Sequence, residues 1–328
     1  MPAEGAGRID YVDLVKGLTI LWIIWYHSYY FSAFGNAHNY IFFFISGAFF
    51  KVNVDTRSFF AKRVKMILIP YLFFFITGAA LYTLVMGIYE GSFVTLRWDL
   101  ITDIFLIQRH DGMHTPMPPL WFLKSLLIIQ SLCYFIYKLP KWGIWGFMLA
   151  MCCVQYSGIL SQVPDPLDVF ISLYYIIFFT LGYLVGRDYI IFLSSRRKKL
   201  FAIVAVCAVW IMLWIAIAKF NLREYVFIIH HGKALCGVFG MIAVMSFFDG
   251  KPCMNFLRFF GKNTLPVLGL HLWILLPLQF LWLQFSDMRT PGVGLLLSVL
   301  TALLLAPIIR ICNAWIPDLI GARSVRFR

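Results

Sequence analysis

A lysine and a histidine lie eleven residues apart on one apolar segment near the start of the chain. They are Lys16 and His27, in the run RIDYVDLVKGLTILWIIWYHSYYF. On a helix that rises about 1.5 Å per residue, they are separated by roughly 16 Å along the axis. An ionisable side chain inside a membrane is costly to bury and usually marks a functional site. A neutral imidazole can accept a proton from a hydroxyl near pH 7. His27 is therefore the leading candidate for a general base, and the alternative is a histidine that only hydrogen-bonds a neighbouring helix.

Charged residues crowd the start of the same segment, namely Arg8, Asp10, Asp13 and Lys16. One interpretation is that the cations anchor a membrane helix at the cytoplasmic face and the acids favour its N-terminus. The other is a basic site for a phosphorylated donor that arrives from the cytoplasm. This local pattern leaves both interpretations open.

A second basic group, Lys62, Arg63 and Lys65, precedes the third apolar segment. It either lies against lipid headgroups, at about 1 kcal/mol of attraction per cation, or faces Lys16 across a cavity and holds a nucleotide phosphate.

Further histidines follow. His271 is either a second catalytic or substrate-contacting residue or a helix–helix hydrogen bond. His230 and His231 are interpreted as polar residues at a membrane interface. In the longest loop, His110, Asp111 and His114 are weaker candidates for contact with a polar acceptor. The spacing of the seven cysteines matches no metal-ligand pattern, so we expect no bound metal.

The composition predicts an all-α polytopic membrane protein. Of 328 residues, 61% are hydrophobic and 13% charged, and apolar runs of about 20 residues, the length that spans a bilayer, recur throughout. We expect a bundle of about ten transmembrane helices in one domain covering residues 1–328. The predicted spans are 14–34, 37–50, 67–87, 119–137, 142–160, 168–186, 200–219, 232–248, 264–286 and 291–312.

The net charge of +13 is explained by topology and not by a nucleic-acid partner. With ten spans, 21 of the 28 Lys and Arg residues fall on one side. By the positive-inside rule that side is the cytoplasm, and both termini lie there.

Several motifs in fixed order resemble the integral-membrane acyltransferase family 3, which includes bacterial glycan O-acetyltransferases. The first-helix element is a basic residue, ten intervening residues and a histidine, here Lys16 to His27. The later elements are IFFFISGAFF with Ser46, FFAKRVKMILIPYLF with Arg63, PPLWFLKSLL with Trp121, and FGKNTLPVLGLHLWI ending near His271. The family usually has a second arginine three residues after Arg63, and this chain has Met66 there.

The resemblance implies transfer of an acetyl or other small acyl group from cytoplasmic acyl-CoA to a hydroxyl of a cell-surface glycan. It implies His27 as general base, and acyl-CoA contacts at Lys16, Arg63, Arg8 and Lys65. Asp13, one helical turn before Lys16, joins His27 in the catalytic set as an orienting residue through the i,i+3 relation. The resemblance also implies acceptor contacts at Trp121, His271 and Ser46, and a multi-pass location in the bacterial inner membrane. The main alternative is a secondary transporter or exporter that uses the intramembrane histidines as a proton relay; a structural scaffold is a third interpretation.

Overall fold

The computed structural model describes residues 9–29, 37–90, 118–162, 169–220 and 226–321. Within these ranges all regular structure is helical and no strand is present. The described α-helices, in chain order, are α1 (Asp10–Tyr29), α2 (Ala37–Ala48), α3 (Thr56–Arg63), α4 (Ile69–Glu90), α5 (Trp121–Ile136), α6 (Lys141–Tyr156), α7 (Val169–Leu181), α8 (Arg187–Phe192), α9 (Arg196–Phe220), α10 (Val226–Ser246), α11 (Asn255–Lys262), α12 (Thr264–Phe285) and α13 (Pro291–Trp315). The all-α prediction is confirmed.

Seven helical stretches in the described part are long and apolar enough to cross a membrane. They are Thr56–Leu81, Pro118–Ile136, Ser172–Phe192, Arg196–Ile217, Ile229–Ser246, Thr264–Phe285 and Pro291–Trp315. Each overlaps one of the predicted spans, so the chain is a multi-pass membrane protein. The overlap follows from a local property, because about 20 apolar residues suffice to cross the hydrocarbon core as a helix.

Three predicted spans correspond to helices that are shorter or more polar. α2 has 12 residues and α6 has 16, and 12 residues extend only about 18 Å along a helix axis. α1 has 20 residues but includes three charged side chains in its first two turns. The count of about ten spans and the cytoplasmic termini therefore stay predictions.

The described chain divides into two compact units. The first unit comprises Met1–Phe50, Phe178–Thr264 and Arg289–Leu295. The second comprises Lys51–Ile177, Leu265–Met288 and Leu296–Arg328. The organisation as a single domain stays a prediction.

A π-helical segment, Val64–Leu68, joins α3 to α4 in the second unit. Pro70 follows this segment. A proline has no N–H to donate to the carbonyl four residues earlier, which here is that of Met66. Its ring also crowds that carbonyl oxygen. The backbone widens instead, so that the N–H of Ile69 donates to the carbonyl of Val64 five residues back. The basic segment is thus connected to its membrane helix by an irregular turn of a kind often found at functional sites.

Candidate active site

The helix α1 in the first unit carries three of the predicted site residues. Asp13 and Lys16 form an ion pair, with 3.4 Å between the Nζ of Lys16 and Oδ1 of Asp13. The Asp13 side chain is 3% exposed and that of Lys16 is 27% exposed. The lysine therefore neutralises a buried carboxylate while its own side chain stays partly exposed, which leaves it able to attract an anionic group.

The start of α1 is anchored by a second ion pair. The Nε of Arg258, on α11, lies 2.7 Å from Oδ2 of Asp10. The same guanidinium donates to the carbonyl of Lys251 at 2.7 Å and to Oδ1 of Asn255 at 2.8 Å. Arg258 is buried, so these contacts hold the two helices in one register next to Asp13.

Two glycines allow α1 and α11 to touch backbone to backbone. A Cβ at Gly17 would overlap the carbonyl of Leu257, and a Cβ at Gly261 would overlap the carbonyl of Asp13. Small residues at a helix crossing permit this approach in membranes. The FGKNT motif thus brings its glycine against the turn of α1 that holds the Asp13–Lys16 pair.

His27 lies near the other end of α1 and is half-buried. Its ring meets the neighbouring Tyr26 ring edge to face at 5.5 Å. This end of the helix is anchored by the indole N–H of Trp25, which donates to the carbonyl of Pro291 at 3.0 Å. Gly294 approaches the Ser28 hydroxyl so closely that a Cβ there would lie 2.7 Å from it. The end of α1 that carries the half-buried imidazole is therefore held by contacts of its neighbours Trp25 and Ser28.

His38, at the start of α2, is a buried histidine that the sequence analysis did not identify. It is 2% exposed and packs between two aromatic rings of α1, with centroid distances of 5.4 Å to Trp22 and 5.1 Å to Tyr26. The rule that singled out His27, an ionisable residue on an apolar segment, applies equally to the run AHNYIFFFISG and would have identified it.

His230 and His231, on α10, pack inside the first unit. The Nε2 of His230 is 2.8 Å from the hydroxyl of Tyr40 on α2. The His231 ring stacks on Phe178 at 5.6 Å. These contacts join α10 to α2 and α7, with His231 buried and His230 half-buried.

Ser46, on α2, is half-buried beside a close helix contact. A Cβ at Gly47 would overlap the carbonyl of Phe179, and one at Gly182 would overlap the carbonyl of Phe44. The SG motif therefore combines a hydroxyl with the glycine that lets α2 pack directly on the last turns of α7.

The basic segment belongs to the second unit. Asp55 caps α3 by accepting the backbone N–H of Ser58 at 2.9 Å, and hydrogen bonds from the Ser58 side chain and backbone lower the pKa of Asp55. Arg63 is half-buried, with its guanidinium carbon 4.2 Å from the centre of the Phe59 ring. Lys65 is exposed on the π-helical segment.

Trp121 and His271 are also in the second unit. Trp121 begins α5, and its half-buried ring lies 5.3 Å from that of Tyr175. His271 is fully buried on α12, and its Nδ1 lies 3.0 Å from the carbonyls of Val267 and Leu268. Since a carbonyl only accepts, Nδ1 carries the proton and donates to its own helix.

The structure thus brings Asp13, Lys16, His27 and Ser46 into one unit and Arg63, Lys65, Trp121 and His271 into the other. The approach of Arg63 to Lys16 stays a prediction. Arg8 and the loop with His110, Asp111 and His114 lie outside the described residues. Within the first unit, α1 carries the Lys16 ammonium near one end and the half-buried His27 imidazole near the other. Such a helix can attract an anion at the first position and take up a proton at the second.

One family model matches the chain. It is described as an acyltransferase domain and covers residues 9–311, from one residue before α1 to within α13. Arg8 falls one residue before the matched region. No curated protein and no solved structure matches the chain.

Proposed function

We propose, since the chain belongs to acyltransferase family 3, that it moves an acetyl or other small acyl group from cytoplasmic acyl-CoA to a hydroxyl of a cell-surface or exported glycan. Family membership rests on a match that covers most of the chain, and the seven apolar helices place it in a membrane. The donor, the acceptor and the base are parts of this proposal.

The observation that carries the proposal is the arrangement of α1. Asp13 and Lys16 pair at one end, and His27 lies eleven residues further on, which corresponds to roughly 16 Å. Both ends of the helix are held by contacts with other segments of the first unit. A reaction that joins a cytoplasmic donor to an acceptor on the other side needs groups at two depths on a rigid support, and α1 supplies them.

In the proposed step, the imidazole of His27 takes the proton of the acceptor hydroxyl as its oxygen attacks the thioester carbonyl. A carbon–oxygen bond forms, the carbon–sulfur bond of acyl-CoA breaks, and the proton passes from the imidazolium to the departing thiolate. General-base help of this kind contributes typically 10²–10⁴-fold to the rate. Asp13 acts on the donor side by holding the Lys16 ammonium in place.

The donor phosphates are proposed to bind Lys16 together with Arg63, Lys65 and Arg8. Lysine binds phosphate as a point charge, whereas arginine can form two parallel hydrogen bonds with it. The family's second arginine is replaced by Met66 here, so Lys62 and Lys65 take over part of its charge. On the acceptor side we propose Trp121, Ser46 and His271, and a location in the inner membrane of a bacterium.

The proposal is tested in a deletion strain complemented with the wild type or with His27→Ala, at matched membrane levels. The measurement is the O-acetyl content of isolated surface glycan. We expect acetate with the wild type and a fall of at least about 100-fold with His27→Ala, since a general base is removed. His231→Gln, a change on α10 in the same unit, is the matched control and retains acetylation.

Two further results separate the proposal from its alternative. Membrane vesicles supplied with radiolabelled acetyl-CoA transfer label to glycan only if the protein is an acyltransferase. A secondary transporter would leave the glycan unlabelled and would instead show proton-dependent uptake that His27→Ala abolishes. Equal acetate in the wild type, the variant and the uncomplemented deletion would overturn the proposal.

A further inference from the structure

An apolar groove on the first unit lies between α8, α9 and α10 and is separate from the residues proposed for catalysis. Its volume is about 270 Å³. Its walls are formed by Phe192, Phe201, Ala205, Val206, Leu235 and Phe239. The one hydroxyl in the wall, that of Tyr189, donates to the carbonyl of Phe239 at 2.9 Å. The hydroxyl that lines the groove is thus already hydrogen-bonded within the protein. The lining therefore favours an apolar ligand.

The groove faces the surface of the unit. Phe201 is 67% exposed, and only 6% of the most apolar 18-residue stretch of α9 is buried. Since α9 is long and apolar enough to span the membrane, the exposed side of this helix meets lipid. Small side chains at Ala202 and Ala205, one turn apart, keep the floor of the groove open.

A run of cations begins where the groove ends. Residues 187–199 include five basic side chains and one acidic one, Asp188. Arg196, Arg197 and Lys198 are exposed at the start of α9. The Nζ of Lys198 lies 5.4 Å from the centre of the Phe192 ring, and that ring forms part of the groove wall. Charge and groove are therefore adjoining parts of one surface.

The length of the groove is close to the thickness of one membrane leaflet. The groove follows α9 from Phe201 to Val209, which is about 12 Å along the helix axis, and half of a hydrocarbon core is about 15 Å. An acyl chain that lies in the groove would therefore place its headgroup beside the cations at the membrane surface. Basic pockets between membrane helices bind anionic headgroups in this way.

We infer that this groove and the residues Arg196–Lys198 form a binding site for one anionic phospholipid. The acyl chain packs along Ala205 and Val206, and the phosphate is held by the exposed cations. Because the positive-inside rule assigns this end of α9 to the cytoplasm, the lipid belongs to the inner leaflet. The site is independent of the acyl-CoA and glycan contacts proposed above.

The test uses the full-length chain purified in detergent and titrated with dioleoylphosphatidylglycerol or dioleoylphosphatidylcholine, with bound lipid counted by native mass spectrometry. We expect tighter binding of phosphatidylglycerol. Arg197→Gln/Lys198→Gln lowers that affinity about 30-fold, because each cation contributes roughly 1 kcal/mol, and leaves phosphatidylcholine binding unchanged. Both residues are exposed, so the variant retains the fold.

A second variant tests the groove. Ala205→Phe fills it and weakens binding of both lipids, whereas Ala208→Phe, an exposed position on the same helix, does not. Lys141→Gln removes an exposed cation on α6, a helix that does not line the groove, and is the control for a general effect of lost positive charge on lipid binding. Equal affinity for the two lipids, an unchanged affinity in the double variant or in Ala205→Phe, or displacement by inorganic phosphate would overturn the inference.

Discussion

At the scale of single residues, the candidate site depends on charges that protein groups neutralise. Asp13 is almost inaccessible and faces Lys16, and Arg258 is buried and faces Asp10. A buried charge with a partner is tolerated, but the removal of the partner leaves an uncompensated charge. We therefore expect the N-terminal end of α1 to be sensitive to single substitutions.

The coupling between Asp13 and Lys16 can be measured by a double-mutant cycle with Asp13→Asn, Lys16→Met and the double variant. We expect Lys16→Met alone to raise KM for acyl-CoA about tenfold and to destabilise the protein. The double variant should recover about 1 kcal/mol of unfolding free energy, since the buried carboxylate is then gone. Thermal unfolding in detergent measures the stability, and initial rates give KM. Strict additivity of the two substitutions would contradict a coupled pair, and Lys141→Met is the control at an exposed lysine.

His38 supports the end of α1 that holds His27, because its ring packs against Trp22 and Tyr26. His38→Ala should cost about 2 kcal/mol of unfolding free energy through the cavity that it leaves. His38→Phe preserves the ring contacts and should cost less than half as much. If the site requires the position of Tyr26, kcat falls in His38→Ala and recovers in His38→Phe while KM stays constant. A kcat that stays low in both variants would assign the imidazole itself a direct role.

At the scale of elements, close helix contacts position the site. α1 meets α11 through Gly17 and Gly261, and α2 meets the end of α7 and the residue that follows it through Gly47 and Gly182. Each of these glycines faces a backbone carbonyl, which cannot rotate away as a side chain can. The glycines in the motifs SG and FGKNT are thus required for close helix packing, apart from any chemical role of these motifs.

Gly261→Ala is expected to force α11 away from the Asp13 turn of α1. The cost should be about 3 kcal/mol, at the upper end for overpacked sites, together with a loss of activity. Gly146→Ala on α6 is the matched control, since nothing lies within 4 Å of a Cβ there, and it should be neutral or stabilising by up to about 1 kcal/mol. Thermal unfolding of both variants decides the comparison. Similar stability of the two would contradict the close contact.

The hydrogen bond by which Asp55 caps α3 should make the stability of the start of this helix depend on pH. The pKa of Asp55 is lowered in the folded state by Ser58, so the capping contribution is fully present above the unfolded value of about 3.9 and is lost as the pH falls through the folded value. Hydrogen exchange at the Ser58 amide, corrected for its intrinsic rate, should accelerate in that acidic range. Asp55→Ala should show fast exchange at every pH, and Asp55→Asn, which still caps, should be slow and independent of pH. An unchanged rate in Asp55→Ala would refute the cap.

At the scale of the whole molecule, the number of spans determines where the ends of the chain lie. An even number, such as ten, returns the C-terminus to the side of the N-terminus, whereas seven would place the termini on opposite sides. We expect green fluorescent protein at the C-terminus to fluoresce and alkaline phosphatase there to be inactive. Phosphatase fused after Met288 should be active, because nine spans precede it. An active phosphatase at the C-terminus would reject the ten-span topology.

Sequence alone determined the helical class, the seven apolar helices that are long enough to cross a membrane and the placement of Lys16 and His27 on one helix. These properties are local, because the length of an apolar run and the rise of a helix decide them. Tertiary structure decided which side chains meet. His38 beside Tyr26, Arg258 against Asp10 and Gly261 against Asp13 join residues on different helices, and the last two contacts join residues far apart in the chain. Such contacts depend on which helix faces pack together, and one sequence carries no local signal for that pairing. The packing of helices from distant parts of the chain decides it, through glycines that admit a neighbouring backbone and through the buried Arg258, which pairs with Asp10.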